Sequence, residues 1–133
     1  MKILVAYIAS LAAFVALDLV WLSAMVQRLY RPALGEMLAE QPKLPAAVVF
    51  YLVYGVGLAL LAVAPALKEG SAGRAVLNGL VFGAVAYATY DLTNMATLRT
   101  WSMKVTIADI AWGACATGLA ALAGYAAVRA MVK

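Results

Sequence analysis

Four stretches of this chain are each long and apolar enough to cross a bilayer, and that repetition limits the fold more than any motif does. A spanning helix needs about 20 mostly apolar residues. The runs 3–26, 45–67, 75–98 and 105–128 reach that length, and a Lys or Arg stands near every boundary: Lys2, Arg28, Lys43, Lys68, Arg74, Arg99, Lys104 and Arg129. Such cations anchor helix ends at the membrane interface. Only 12% of the 133 residues are charged and 67% are hydrophobic. A water-soluble domain of this size could not bury so much apolar surface. The sequence therefore predicts an all-α polytopic membrane protein, with a single transmembrane domain over 1–133 built as a four-helix bundle. The first run has a lysine before it, as a signal peptide would. It is too long for the apolar core of a signal, however, and Asp18 interrupts it, so it reads as a span.

Four spans put both termini on one side, called side A here; the other is side B. Side A carries Lys2, Lys68, Arg74, Arg129 and Lys133, and side B carries Arg28, Arg31, Lys43, Arg99 and Lys104. The two sets are equal, so the positive-inside rule assigns no orientation. The longest connection, 27–44, lies on side B. Within it Arg31-Pro32 offers a helix start, and Ala33, Leu34, Met37 and Leu38 fall on one face. This predicts a short amphipathic interfacial helix over about 32–40, between the first two spans.

Three acids stand inside the apolar runs: Asp18, Asp91 and Asp109. An ionised Asp at the bilayer centre costs at least about 2.5–3.5 kcal/mol. Counted from the nearest side B boundary, at 1.5 Å per residue, they lie roughly 12, 12 and 8 Å deep. All three thus fall in the side B half, where they predict a shared polar site. Trp21 stands one turn from Asp18, and Trp112 one turn from Asp109. Tyr87, Asp91 and Asn94 share a face of the third helix, and Tyr54 lies on the second helix. Asp18, Asp91 and Asp109 are the candidate catalytic residues. Trp21, Tyr54, Tyr87, Asn94 and Trp112 are candidate ligand contacts, with Arg31 and Arg99 at the rim to hold a charged head group.

Other roles compete. Thr106-Ile107-Ala108-Asp109 has the form of a capping box, which would employ Asp109 at a helix start. Asp18 has a structural pair with an Arg or Tyr as its alternative, and Asp91 a helix bend. The three acids could hold a hard cation, but the four basic residues nearby favour ion pairing, so no metal site is assigned. Gly79-x-x-x-Gly83 forms a small-residue seam that suits helix packing within the chain or a homodimer. Cys115, among alanines, reads as a packing residue.

With no His and one Cys, the chain has no zinc site of the His/Cys type, no His-held haem and no Ser-His or Cys-His nucleophile. No nucleotide motif is present and no cofactor is expected. The net charge of +4 is spread along the chain, which suits anionic lipid surfaces and not nucleic acid.

Several strings together resemble a bacterial family of small membrane proteins, the domain of unknown function 2177. They are Leu17-Asp18-x-x-Trp21-Leu22, Tyr30-Arg31-Pro32-x-Leu34-Gly35, Phe50-Tyr51-x-x-Tyr54, Tyr87-Ala88-Thr89-Tyr90-Asp91-Leu92-Thr93-Asn94-x-Ala96-Thr97-Leu98-Arg99, and Asp109-x-Ala111-Trp112-Gly113. The resemblance implies a four-span protein of the bacterial inner membrane and supplies no reaction or substrate.

From the residues themselves, the first expectation is a pocket on side B. It would bind a lipid-like or isoprenoid molecule, or act on it by acid/base chemistry with Asp as the only strong proton carrier. The alternatives are a small proton-coupled transporter of the four-helix multidrug-resistance type and an accessory subunit of another membrane protein. Against transport, the acids stand in one half of the span and not at the midplane.

Overall fold

The computed structural model describes all 133 residues, and they form helices without a single strand. Four of the rods are long and apolar enough to span a membrane: Lys2–Met37, Leu44–Glu69, Ala72–Thr97 and Met103–Met131. The first consists of α1 (Lys2–Met25), a π-helical turn (Val26–Tyr30), α2 (Arg31–Leu34) and a 3-10 turn (Gly35–Met37). The second consists of α3 (Leu44–Gly57), a π-helical stretch (Leu58–Val63) and α4 (Ala64–Glu69). The third and fourth are α5 (Ala72–Thr97) and α6 (Met103–Met131).

Both π turns end two residues before a proline, Pro32 and Pro65. Proline cannot donate to the carbonyl four residues back, and its ring crowds that carbonyl. A wider turn relieves the clash without ending the helix. This corrects the expected break before Pro32. The first helix runs on through the proline, so the short helix expected over about 32–40 begins as a continuation of α1 and ends sooner, at Met37. α2 is stopped at Gly35, whose φ of +57° suits a residue without a Cβ, and the 3-10 turn follows from there.

α6 is the hub of the bundle: α1, α5 and the Leu58–Val63 stretch all pack on it. On α1, the residues that turn toward the core are Ala6, Ser10, Phe14 and Asp18, one every four positions. That spacing makes a single ridge along the helix. α5 meets α6 through glycines. A Cβ on Gly79 would lie 2.6 Å from the Thr117 carbonyl oxygen, and one on Gly83 would overlap the Gly113 carbonyl. The Gly79/Gly83 seam thus packs α5 on α6 within the chain. Gly113 in turn admits the ring of Tyr87.

The second rod is less evenly held. Leu58, Ala59, Ala62 and Val63 are wholly or almost wholly buried, and Asn78 of α5 donates to the Ala62 carbonyl at 3.2 Å. α3, by contrast, packs mainly along α1 and meets α5 through Phe82, whose ring stacks on Tyr54. Val49, Val53 and Val56 are consequently exposed, and a groove opens between α3 and Phe82 of α5.

Candidate functional site

The end of the bundle opposite the termini contains a cavity of about 490 Å³ between α1, α3, α5 and α6. That volume lies within the usual range for small-molecule sites. Asp18 and Asp109 are its only charged lining residues, and Tyr30, Tyr54, Tyr87, Tyr90, Phe50 and Trp112 make up most of the remaining wall.

Neutral donors hold both carboxylates. Asp18, last on the buried ridge of α1, accepts from the Tyr51 hydroxyl at 2.5 Å and from the Trp112 indole at 3.2 Å. Asp109 accepts from the Tyr30 hydroxyl, and that hydroxyl accepts from the Trp21 indole at 2.9 Å. Trp21 and Trp112 stack with centroids 4.7 Å apart and planes 7° from parallel. A stacked pair contributes about 0.5–1.5 kcal/mol beyond its buried area. The two D-x-x-W strings thus interlock. α1 and α6 run antiparallel, so the tryptophans meet face to face while Trp112 bonds to the aspartate of the other helix.

The capping alternative for Asp109 does not hold. Ser102 caps α6, its side chain accepting from the Val105 N–H, and Thr106 accepts from the Trp101 indole at 2.9 Å. Asp109 is left free to face the cavity. Ion pairing does not hold either. The molecule's one ion pair joins Arg74 to Glu69 at 2.9 Å on the other end, and no three acids converge at metal-binding spacing.

Asp91 is placed differently from the other two. It is wholly buried between α5 and α6, and neither oxygen has a hydrogen-bond partner. It does not line the cavity; it lies on α5 one turn beyond Tyr87, behind the wall that Tyr87 and Tyr90 make.

Of the expected contacts, Tyr54, Tyr87 and Trp112 line the cavity, and Trp21 supports it through the stack and Tyr30. Tyr54 is fixed by a 2.7 Å bond to the Thr117 hydroxyl. Asn94, Arg31 and Arg99 do not reach it. Arg99 is exposed, and Arg31 donates to the Ala39 carbonyl of its own connector at 3.4 Å. Cys115 is exposed on the outside of α6 and packs in no core.

Tyr30 and Tyr51 bond to the acids but were not among the expected site residues. Tyr51 was accessible to sequence reasoning, since the string Phe50-Tyr51-x-x-Tyr54 sits at the same height as Asp18. Tyr30 was hidden by the π turn. In an unbroken α-helix, residues nine apart lie about 180° apart around the axis. The additional residue in the turn takes back about 100° and brings Tyr30 toward the face of Trp21.

Neither a curated protein nor a solved structure matches this chain. A family model does, described as predicted membrane protein DUF2177, over residues 3–126. That match reaches into all four apolar rods and includes every residue that bonds to Asp18 or Asp109. The chain belongs to the DUF2177 family of predicted membrane proteins.

Proposed function

We propose that this protein, seated in a bacterial inner membrane, binds a lipid-like molecule whose polar end enters the side B cavity, and that its carboxyls serve acid/base chemistry on that molecule. The observation that carries the reading is the pairing of Asp18 and Asp109 in one aromatic cavity, each fixed by hydrogen bonds yet still lining the space. Ordinary ligand sites have this composition, mostly apolar with a few placed polar groups.

The groove along α3 supplies the second support. It holds about 1100 Å³, and Phe50 and Tyr54 line both it and the cavity. A hydrocarbon chain lying in the groove would reach the carboxylates without leaving apolar surroundings. Asp18 and Asp109, both lining the cavity, put two carboxyls within reach of a bound molecule, the groups that acid/base chemistry needs. The side A half supports binding over transport, because Ala6, Ala62, Val63, Ala66, Ala75 and Val128 are buried completely or nearly so and no acid stands among them to carry a proton onward.

The test is purification in mild detergent followed by mass spectrometry of the extracted small molecules. An amphiphile should accompany the wild-type protein and fall at least about tenfold in Asp18→Asn and Asp109→Asn, the loss expected when a charged hydrogen bond is removed. Equal recovery from all three proteins would remove the reading.

A further inference from the structure

We propose that the head group received by Asp18 and Asp109 is a cation, an ammonium carried on a hydrocarbon chain. This deepens the reading of the cavity as an amphiphile site and rests on it. Charge is the first ground. The chain has ten basic residues, yet none lines the cavity and none pairs with either acid. Tyr30, Tyr51 and Trp112 orient the carboxylates but, being neutral, leave their charge uncancelled. Buried charges in proteins are ordinarily paired, and here the partner is missing from the chain itself.

Asp91 points the same way. It is a third carboxyl, wholly buried without a hydrogen-bond partner, on α5 next to the cavity-lining Tyr87 and Tyr90. Any charge it carries adds to the negative potential at that end of the cavity. An anionic head group would meet repulsion from this side and no compensating cation on the other.

The wall is the second ground. An ammonium between carboxylates and aromatic faces gains cation–π attraction, worth about 2 kcal/mol or more where water is excluded. The rings of Tyr54, Tyr87 and Trp112 are already fixed, by the Thr117 bond, by the slot over Gly113 and by the Trp21 stack. Ordering them on binding therefore costs little. The tail would lie along Val49, Val53 and Phe82, in the groove that continues from the cavity past Phe50.

Three probes with the same chain separate the cases: dodecyltrimethylammonium, dodecanol and dodecyl phosphate, each titrated into the full-length protein in maltoside micelles. Tryptophan fluorescence reports, since Trp21 and Trp112 stand at the site. The cation should bind at least about tenfold more tightly than the alcohol, with the phosphate weakest. Asp18→Asn and Asp109→Asn should each reduce that preference. Equal affinity for the three probes, or preference for the alcohol or phosphate, overturns the cation and leaves the amphiphile site standing. A protein that responds to none of them overturns both. The comparison among probes uses the wild-type chain, so it does not depend on any variant folding.

Discussion

Asp91 combines complete burial with two unpartnered oxygens, a state that costs about 1–3 kcal/mol for each unsatisfied group. An amide of the same shape has no charge to bury and carries its own N–H donors. Asp91→Asn should therefore raise stability by about 1 kcal/mol, read as a higher midpoint of thermal unfolding in detergent. A lower midpoint would mean that Asp91 has a partner not accounted for by its neighbours. Tyr30→Phe should act in the opposite direction. It strips Asp109 of its donor and the Trp21 indole of its acceptor, at a cost of about 1–3 kcal/mol. Tyr90→Phe is the control, because its side chain is largely exposed and the hydroxyls that bond to Asp18 and Asp109 are those of Tyr51 and Tyr30. Equal effects of Tyr30→Phe and Tyr90→Phe would show that the Tyr30–Asp109 bond contributes nothing.

At the level of helices, close approach and proline explain most of what positions the site. Gly83 lets α5 press against α6 so that Tyr87, one turn on, seats over Gly113. Gly83→Ala puts a methyl into the Gly113 carbonyl and the Thr117 side chain. It should cost at least about 1–3 kcal/mol, as overpacking does. At Gly73, near the start of the same helix, a Cβ would find its nearest neighbour at 3.8 Å, so Gly73→Ala should be neutral or stabilising by up to about 1 kcal/mol. Parallel thermal melts decide; similar losses at both positions would mean that the close contact is not what Gly83 provides. The lengths and order of the four rods were legible because hydrophobicity and terminal cations mark them directly. The direction of Tyr30 was not. Its placement depends on one additional residue in a helical turn, and a 3.6-residue periodicity carries no sign of that except Pro32 two positions later.

For the whole molecule, the sequence placed Asp18, Asp91 and Asp109 at a common height, and the structure divides them by facing. Depth follows from counting residues, whereas facing depends on which neighbour each helix meets. Asp18 and Asp109 look into the cavity because α1 and α6 cross through their tryptophans, and Asp91 is sealed off because glycines bring α5 so near α6. The same antiparallel arrangement makes a prediction about topology. The connector after Met37 and the loop after Thr97 lie at the cavity end, and the turn at Gly70 lies at the other. Equal numbers of cations on the two sides leave the orientation undetermined by charge, but the cavity and the 27–44 connector are confined to one end, so the molecule is not symmetric about its midplane. In a Cys115→Ala background, single cysteines at Glu40 and Thr100 should react with a membrane-impermeant maleimide from the same side of sealed vesicles. One at Glu69 should react only from the opposite side. All three positions are exposed, so reactivity reports sidedness and not burial. Labelling of Glu40→Cys and Thr100→Cys from opposite sides would break the four-span order. Half-labelling of every position from both sides would instead mean that the chain inserts in two orientations, as dual-topology transporters do. A binding site built into one end would then face both compartments.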